Sequence, residues 1–174
     1  MRLWRVLFLL VLAGCGAVPA GAAVEIGFYS RELGANNFPH AFVTLKGRLD
    51  SDGTVIDQSW GFTAKAVTPA ILMGSVGGKV IAEHPSYVAK SDRQFALILS
   101  DAQYRTVMEK VEEWRARKQP SYNLNRANCV HFVGEMAQAA GLTVEFRKEL
   151  MKKPRSFLIF VRESNAQQLD TAAD

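Results

Sequence analysis

The order of elements along this sequence predicts an α+β fold, an antiparallel β-sheet packed against helices. Segments rich in β-branched and aromatic residues occupy the first hundred positions, and segments with helical spacing follow them. The dipeptide Asp52-Gly53 lies between two of the β-rich segments, which is a strong hairpin signal. Because the strands come before the helices, the pattern favours separate sheet and helix layers.

Five segments have the composition and period of strands: 24–30, 40–46, 54–60, 79–83 and 93–99. Gly47–Gly53 supplies the turn between the second and third of them. The stretch 61–78 is rich in glycine and contains Pro69, so it predicts an irregular loop. A loop of this length in a small domain is usually functional or forms a lid.

Three segments of the second half have helical features: 100–118, 129–141 and, less regularly, 154–161. Ser100 with Gln103 forms a capping box that begins the first helix, and Pro120 stops it. Gly141 is placed as the C-terminal cap of the second helix. The third segment, opened by Pro154, predicts a short helix or a strand.

The first 23 residues predict a secretory signal peptide. Arg2 and Arg5 precede the apolar run 6–13, and small residues follow it. Two exits stay open, because 12–15 (LAGC) is similar to a lipobox that would lipidate Cys15, whereas 20–23 suits ordinary cleavage. In the first case the signal ends at Gly14, and in the second at residue 23. The protein is therefore expected to be exported to the periplasm or beyond, and to be anchored to the envelope if Cys15 is lipidated.

Length and charge limit what the rest of the chain can be. We predict a single domain over 24–165 and a flexible tail over 166–174. Loss of Arg2 and Arg5 with the leader leaves 19 basic residues against 17 acidic ones, a net charge of about +2. This charge, with no basic stripe, does not favour nucleic-acid binding. No feature indicates an oligomeric state.

The cysteine count singles out Cys129. The chain has two cysteines, and Cys15 is either removed or lipidated, so one unpaired thiol remains in an oxidising compartment. Asn125 or Asn128 can cap the helix that begins near Cys129, which places the thiol where helix N-termini stabilise an anion. Its position on the apolar stripe fits either a nucleophile at the floor of a cleft or an inert core cysteine.

Three histidines are candidate bases for such a thiol. His131 lies about 200° around the helix from Cys129, so it faces away and is interpreted as a structural or surface residue. His84 precedes Pro85 in a predicted turn and is assigned to the surface. His40 begins a strand after Pro39, and the rim of a sheet is well placed to meet a helix N-terminus.

The segment 122–133 (YNLNRANCVHFV) resembles the cysteine motif of circularly permuted papain-like enzymes. This group includes lecithin:retinol acyltransferase-like proteins and permuted relatives of NlpC-type cell-wall peptidases. The segment 39–47 (PHAFVTLKG) resembles their histidine strand, which precedes the cysteine helix in the chain. The resemblance implies a permuted papain-like fold with Cys129 as nucleophile and His40 as base.

The resemblance also implies a polar residue on the next strand that orients the imidazole. Alignment of 55–56 with the family's apolar pair puts Asp57 at that position, where acyltransferase relatives have histidine. Gln58 or Ser59 would serve if the register slips. Trp60, Phe62 and Tyr122 are further candidates to line the cleft, with core packing as the alternative for Trp60 and Phe62. Tyr122 and Asn128 are candidates for contact with the substrate or oxyanion.

These residues predict an exported thiol hydrolase that works through an acyl-enzyme. An exported bacterial protein meets peptidoglycan, so an amidase or endopeptidase of cell-wall peptides is the first expectation. A lipid or acyl-ester hydrolase or acyltransferase is the second, and a non-catalytic envelope-binding module is the third. Scattered histidines and one thiol give no metal-ligand spacing, so neither a metal nor another cofactor is expected.

Overall fold

A computed structural model of the protein describes residues 23–32, 34 and 38–171, and it confirms the α+β class. Five strands form one antiparallel sheet in the order β4-β3-β2-β1-β5. Their bounds are β1 Val24–Arg31, β2 His40–Arg48, β3 Val55–Ala64, β4 Gly78–Ile81 and β5 Asp92–Leu99. The central strand, β2, begins at His40, so this histidine lies at one end of the middle of the sheet.

Six α-helices are present in the described residues, and three of them cover one face of the sheet. The helices are α1 Ala70–Met73, α2 Pro85–Val88, α3 Asp101–Arg115, α4 Cys129–Ala139, α5 Pro154–Ser164 and α6 Ala166–Thr171, with a 3₁₀ turn at Lys148–Leu150. Helix α4 packs on β2 and β3, α5 packs on β1 and β5, and α3 packs beside α4. The core lies between these helices and the sheet, where Val43, Leu45, Phe132 and Phe157 are fully buried.

Helix α3 begins as predicted, because Ser100 accepts a hydrogen bond from the Gln103 N–H while the Gln103 side chain returns to the Ser100 N–H. The third predicted segment is a helix, α5, with Pro154 at its first position.

Strand β3 differs from the prediction, since it continues through Gly61 to Ala64 instead of ending at Trp60. Within the stretch predicted to be irregular, Ala70–Met73 also forms the short helix α1.

The predicted flexible tail begins with a helix, because Ala166–Thr171 forms α6 directly after α5. The predicted signal peptide and Cys15 lie outside the described residues. Within the part that is described, no helix has the length and apolar character needed to cross a bilayer.

Candidate active site

His40 and Cys129 meet in one cavity, although 89 positions separate them in the sequence. The Cys129 side chain and the imidazole of His40 interact closely enough that Cys129 shifts the pKa of the imidazole. The cavity has a volume of about 440 Å³ and lies where the start of β2 approaches the start of α4. The structure therefore brings together a thiol from a late helix and an imidazole from an early strand.

Asn128 caps α4 and fixes the position of the thiol. Its Oδ1 accepts hydrogen bonds from the N–H groups of Val130, at 2.8 Å, and His131, at 3.3 Å. Its Nδ2 donates to two carbonyl oxygens, those of Leu124 and Met151, each at 2.7 Å. The buried Asn128 side chain is thus fully engaged in the fold, which excludes its amide as a donor to a substrate oxygen.

The capping arrangement leaves one backbone donor of the first turn free. Asn128 Oδ1 takes the N–H groups of Val130 and His131, and the Asn128 N–H points to Nδ1 of His131 at 3.4 Å. The N–H of Cys129 has no acceptor among the described residues. A free N–H at a helix start is suited to bind an anion, and here it belongs to the same residue as the thiol.

Glu83 is the carboxylate that holds His40. Its Oε1 lies 2.9 Å from Nε2 of the imidazole, and the two side chains are only 7% and 14% exposed. Because Nε2 is engaged by Glu83, the other ring nitrogen, Nδ1, remains available to the thiol. This arrangement has the form of a nucleophile, a base and an orienting carboxylate.

The prediction that Asp57 orients His40 is wrong. Asp57 is opposite Lys46 in the β2–β3 register and forms an exposed ion pair with it at 3.4 Å. Lys46 is six residues from His40 along β2, which corresponds to about 20 Å. Of the two alternatives for a slipped register, Gln58 contacts Tyr104 on α3, and Ser59 bonds to the backbone of Glu83.

Ser59 and Gly61 together place the Glu83 carboxylate. The Glu83 N–H donates to Ser59 Oγ at 2.9 Å, and that hydroxyl donates to the Glu83 carbonyl at 3.1 Å. Gly61 lies beside both Glu83 and His40. A Cβ at this position would collide with the Glu83 carboxylate and with Nε2 of His40. The absence of a side chain at Gly61 therefore lets Glu83 reach across β3 to the imidazole.

The electrostatics of the site favour a protonated imidazole. Burial lowers the pKa of His40, but its interactions with the Cys129 and Glu83 side chains outweigh burial and raise the pKa to about 10. Tyr87, whose ring centroid is 6.3 Å from that of His40, packs edge-on against the imidazole. The site thus favours a protonated imidazole beside the Cys129 side chain and the Glu83 carboxylate.

Tyr122 lines the cavity, as predicted, whereas Trp60 does not. The ring of Tyr122 stacks on Phe62, and burial and the nearby charge of Cys129 raise the pKa of its hydroxyl. That hydroxyl has no hydrogen-bond partner among the described residues, so it is a free donor at the cavity. Trp60 instead faces α3, where the guanidinium of Arg115 lies 4.3 Å from its ring centroid.

The mouth of the cavity is apolar. Its apolar lining includes Phe38, Val67, Ile71, Leu72, Ile81 and Leu124. Glu83 is the only carboxylate among the described residues that line it, and this carboxylate already binds His40. The cavity thus combines the Cys129, His40 and Glu83 side chains with a largely apolar lining.

Comparison with known proteins adds no assignment: no family model, no curated protein and no solved structure matches the chain.

Proposed function

We propose that this protein is a thiol hydrolase of the permuted papain-like type, with Cys129 as nucleophile, His40 as acid and base, and Glu83 as the residue that positions His40. The observation that carries the proposal is the chain of contacts from the Cys129 thiol through His40 to the buried Glu83 carboxylate. A buried carboxylate 2.9 Å from an imidazole that also meets a thiol is more than an inert core cysteine requires.

The mechanism follows from the charges of the three groups. The Cys129 thiolate attacks a carbonyl carbon, and a carbon–sulfur bond forms as the carbonyl π electrons move to oxygen. When the tetrahedral intermediate collapses, the leaving group departs with a proton from the His40 imidazolium. Water then attacks the thioester while His40 takes its proton, and collapse of that intermediate releases a carboxylic acid and restores the thiolate–imidazolium pair.

Two donors are placed to stabilise the oxyanion of each intermediate. The Cys129 N–H is free in the first turn of α4, and the Tyr122 hydroxyl is free at the cavity. Both donors are held in place by the fold. Cys129 is the first residue of α4, and Tyr122 pairs with Val76 through two backbone hydrogen bonds of 2.9 Å. Preorganised donors of this kind are typically worth a hundredfold or more in rate, about 2.7–4 kcal/mol each.

The apolar walls favour an acyl chain as the group that enters the cavity. Peptides of the bacterial cell wall carry free amino and carboxyl groups, whereas the described lining offers one lysine, Lys152, and one carboxylate already bound to His40. A lipid or other acyl ester therefore fits this lining better than the cell-wall peptides expected from the predicted export. Because export is predicted, cleavage of cell-wall peptides remains the second candidate.

Alkylation and digestion test the proposal. At pH 7 we expect iodoacetamide to modify Cys129 of the wild type faster than a free cysteine, with the modified peptide identified by mass spectrometry. The variant Cys129→Ala should lose all hydrolysis of acyl esters and of cell-wall digests. Released acyl chains would support the first substrate class, and new peptide termini would support the second.

Two results would contradict the proposal. Unchanged hydrolysis in Cys129→Ala would exclude the thiol as nucleophile. A Cys129 that reacts no faster than free cysteine, with no turnover of either substrate class, would favour the non-catalytic envelope-binding module.

A further inference from the structure

Exposed apolar side chains lie at the cavity and directly beside it. Helix α1 presents two large side chains to solvent, Leu72 at 79% exposure and Met73 at 89%. Phe38 and Val67, which line the same mouth, are also exposed. These four residues, here called the apolar rim, are the majority of the large hydrophobic side chains exposed in the described part of the chain. Exposed apolar patches of this kind commonly mark binding surfaces.

Two cations flank the apolar rim. Arg126 and Lys152 line a second hollow of about 200 Å³ together with Leu72 and Met73. Neither cation has an acidic partner among the described residues, and no carboxylate among them lines this hollow. Charges left unpaired beside exposed leucine and methionine would attract an anionic surface that also accepts apolar side chains.

We propose that the apolar rim is a membrane-docking surface that binds an anionic lipid bilayer. Leu72 and Met73 insert at the level of the acyl chains, while Arg126 and Lys152 contact phosphate groups of the lipids. An anionic bilayer offers both acyl chains and phosphate groups. A neutral apolar ligand would use only Leu72 and Met73, and a soluble anion would use only Arg126 and Lys152. Docking there would also turn the cavity mouth toward the lipids.

The surface matches the proposed acyl substrate, but binding to lipid does not require the thiol. The variant Cys129→Ala should therefore bind vesicles as the wild type does. Retained binding with no hydrolysis by the wild type would contradict the proposed function alone. Hydrolysis of soluble esters without vesicle binding would contradict the docking surface alone.

Co-sedimentation of the full chain with vesicles tests the docking surface. We expect the wild type to bind vesicles of phosphatidylglycerol and phosphatidylcholine more tightly than vesicles of phosphatidylcholine alone. The double variant Leu72→Asp/Met73→Asp should weaken binding more than tenfold. Neutralising Arg126 and Lys152 with glutamine should weaken binding to the anionic vesicles roughly fivefold for each charge.

Val55→Asp is the matched control, because Val55 is an exposed apolar residue on β3 that lines neither hollow. It should bind vesicles as the wild type does. All these chains carry the same N-terminal apolar run, so a difference between them reports on the substituted surface. In addition, a tryptophan introduced as Leu72→Trp should shift its emission to the blue when anionic vesicles are added.

Equal sedimentation of the wild type and the Leu72→Asp/Met73→Asp variant would overturn the proposal, as would unchanged emission of Leu72→Trp. A wild type that stays in the supernatant as a dimer, and becomes monomeric in the double variant, would also overturn it and assign the apolar rim to a second copy of the chain.

Discussion

Glu83 holds the imidazole of His40 in place. Substitution can distinguish this role of Glu83 from the role that the sequence predicted for Asp57. Glu83→Gln keeps the size of the side chain and removes the negative charge 2.9 Å from His40. A charge at that distance is worth roughly one to three pKa units, so the pKa of His40 should fall below about 10 and alkylation of Cys129 at a pH near 9 should slow. The rate of modification by iodoacetamide, followed by mass spectrometry, measures this effect.

Asp57→Asn provides the matched comparison, because it removes one carboxylate from an exposed pair with Lys46. It should leave the alkylation rate unchanged and alter stability by less than about 1 kcal/mol. A slower rate in Asp57→Asn together with a normal rate in Glu83→Gln would return the positioning role to Asp57, whereas a normal rate in Glu83→Gln alone would remove that role from Glu83.

The raised pKa of His40 makes a prediction about pH. The imidazole is expected to titrate at about 10 in the folded protein, above its ordinary value of 6.5. A raised pKa means that the protonated form is favoured by folding, so this stabilisation is complete below pH 6.5 and is lost as the pH rises toward 10. Removal of the partner in Cys129→Ser should bring the pKa of His40 down.

Proton NMR of the three imidazoles measures these values. Burial lowers the pKa of His131, so its resonance should move at lower pH than that of His40. A His40 resonance that titrates at 6.5 in the wild type would show that the thiolate–imidazolium pair does not form.

Sequence reasoning predicted that Cys129 and His40 lie together but missed Glu83, and the reason is geometric. Cys129 was found because an unpaired thiol near a helix start is chemically conspicuous. Glu83 belongs two residues past β4 and reaches His40 across Gly61, a contact that depends on strand order and register. The sequence around Asp57 fits the pattern expected of a residue that orients the imidazole. Only the pairing of Asp57 with Lys46 in the sheet excludes Asp57 in favour of Glu83.

At the level of elements, the N-terminus of α4 depends on one side chain. The Asn128 side chain accepts hydrogen bonds from two backbone N–H groups and donates to two backbone carbonyls while almost fully buried. Asn128→Ala should lower the free energy of unfolding by about 2–4 kcal/mol, because a lost cap costs about 1 kcal/mol and unpaired buried carbonyls cost more. Urea denaturation measures the change.

Ser100→Ala is the corresponding change at the start of α3, where the capping hydrogen bonds are exposed. It should cost only about 1 kcal/mol. Equal costs for the two variants would mean that the hydrogen bonds of Asn128 to Leu124 and Met151 add nothing to the cap.

Element boundaries were predictable where the sequence carries a periodic pattern. The capping box of α3 and the strand at 93–99 follow from residue types and spacing alone. Helices α1 and α2 have four residues each, too few to show a period, and they were not predicted. The continuation of β3 through Gly61 was missed because glycine usually indicates a break, whereas here it allows a close approach of side chains.

For the whole molecule, the fold class was predictable and the sheet order was not. The hairpin β2–β3 follows from Asp52-Gly53, but β5 pairs with β1 on the far side of the sheet from β4. Burial of β1 and β5 under α5 favours this long-range pairing. The pairing is also what leaves β2 in the centre, with His40 at its end and facing α4.

The volume and apolar lining of the cavity predict how hydrolysis depends on the length of the acyl chain. If an acyl chain lies along the apolar walls, each added methylene is buried and contributes about 0.8 kcal/mol, or roughly fourfold in kcat/KM. A series of p-nitrophenyl esters from acetate to octanoate should therefore be hydrolysed with rising kcat/KM until the cavity of about 440 Å³ is filled. The variant Cys129→Ala gives the background rate of each ester. A flat series would mean that the acyl chain stays outside the cavity, and the cell-wall peptides would then become the better candidate substrate.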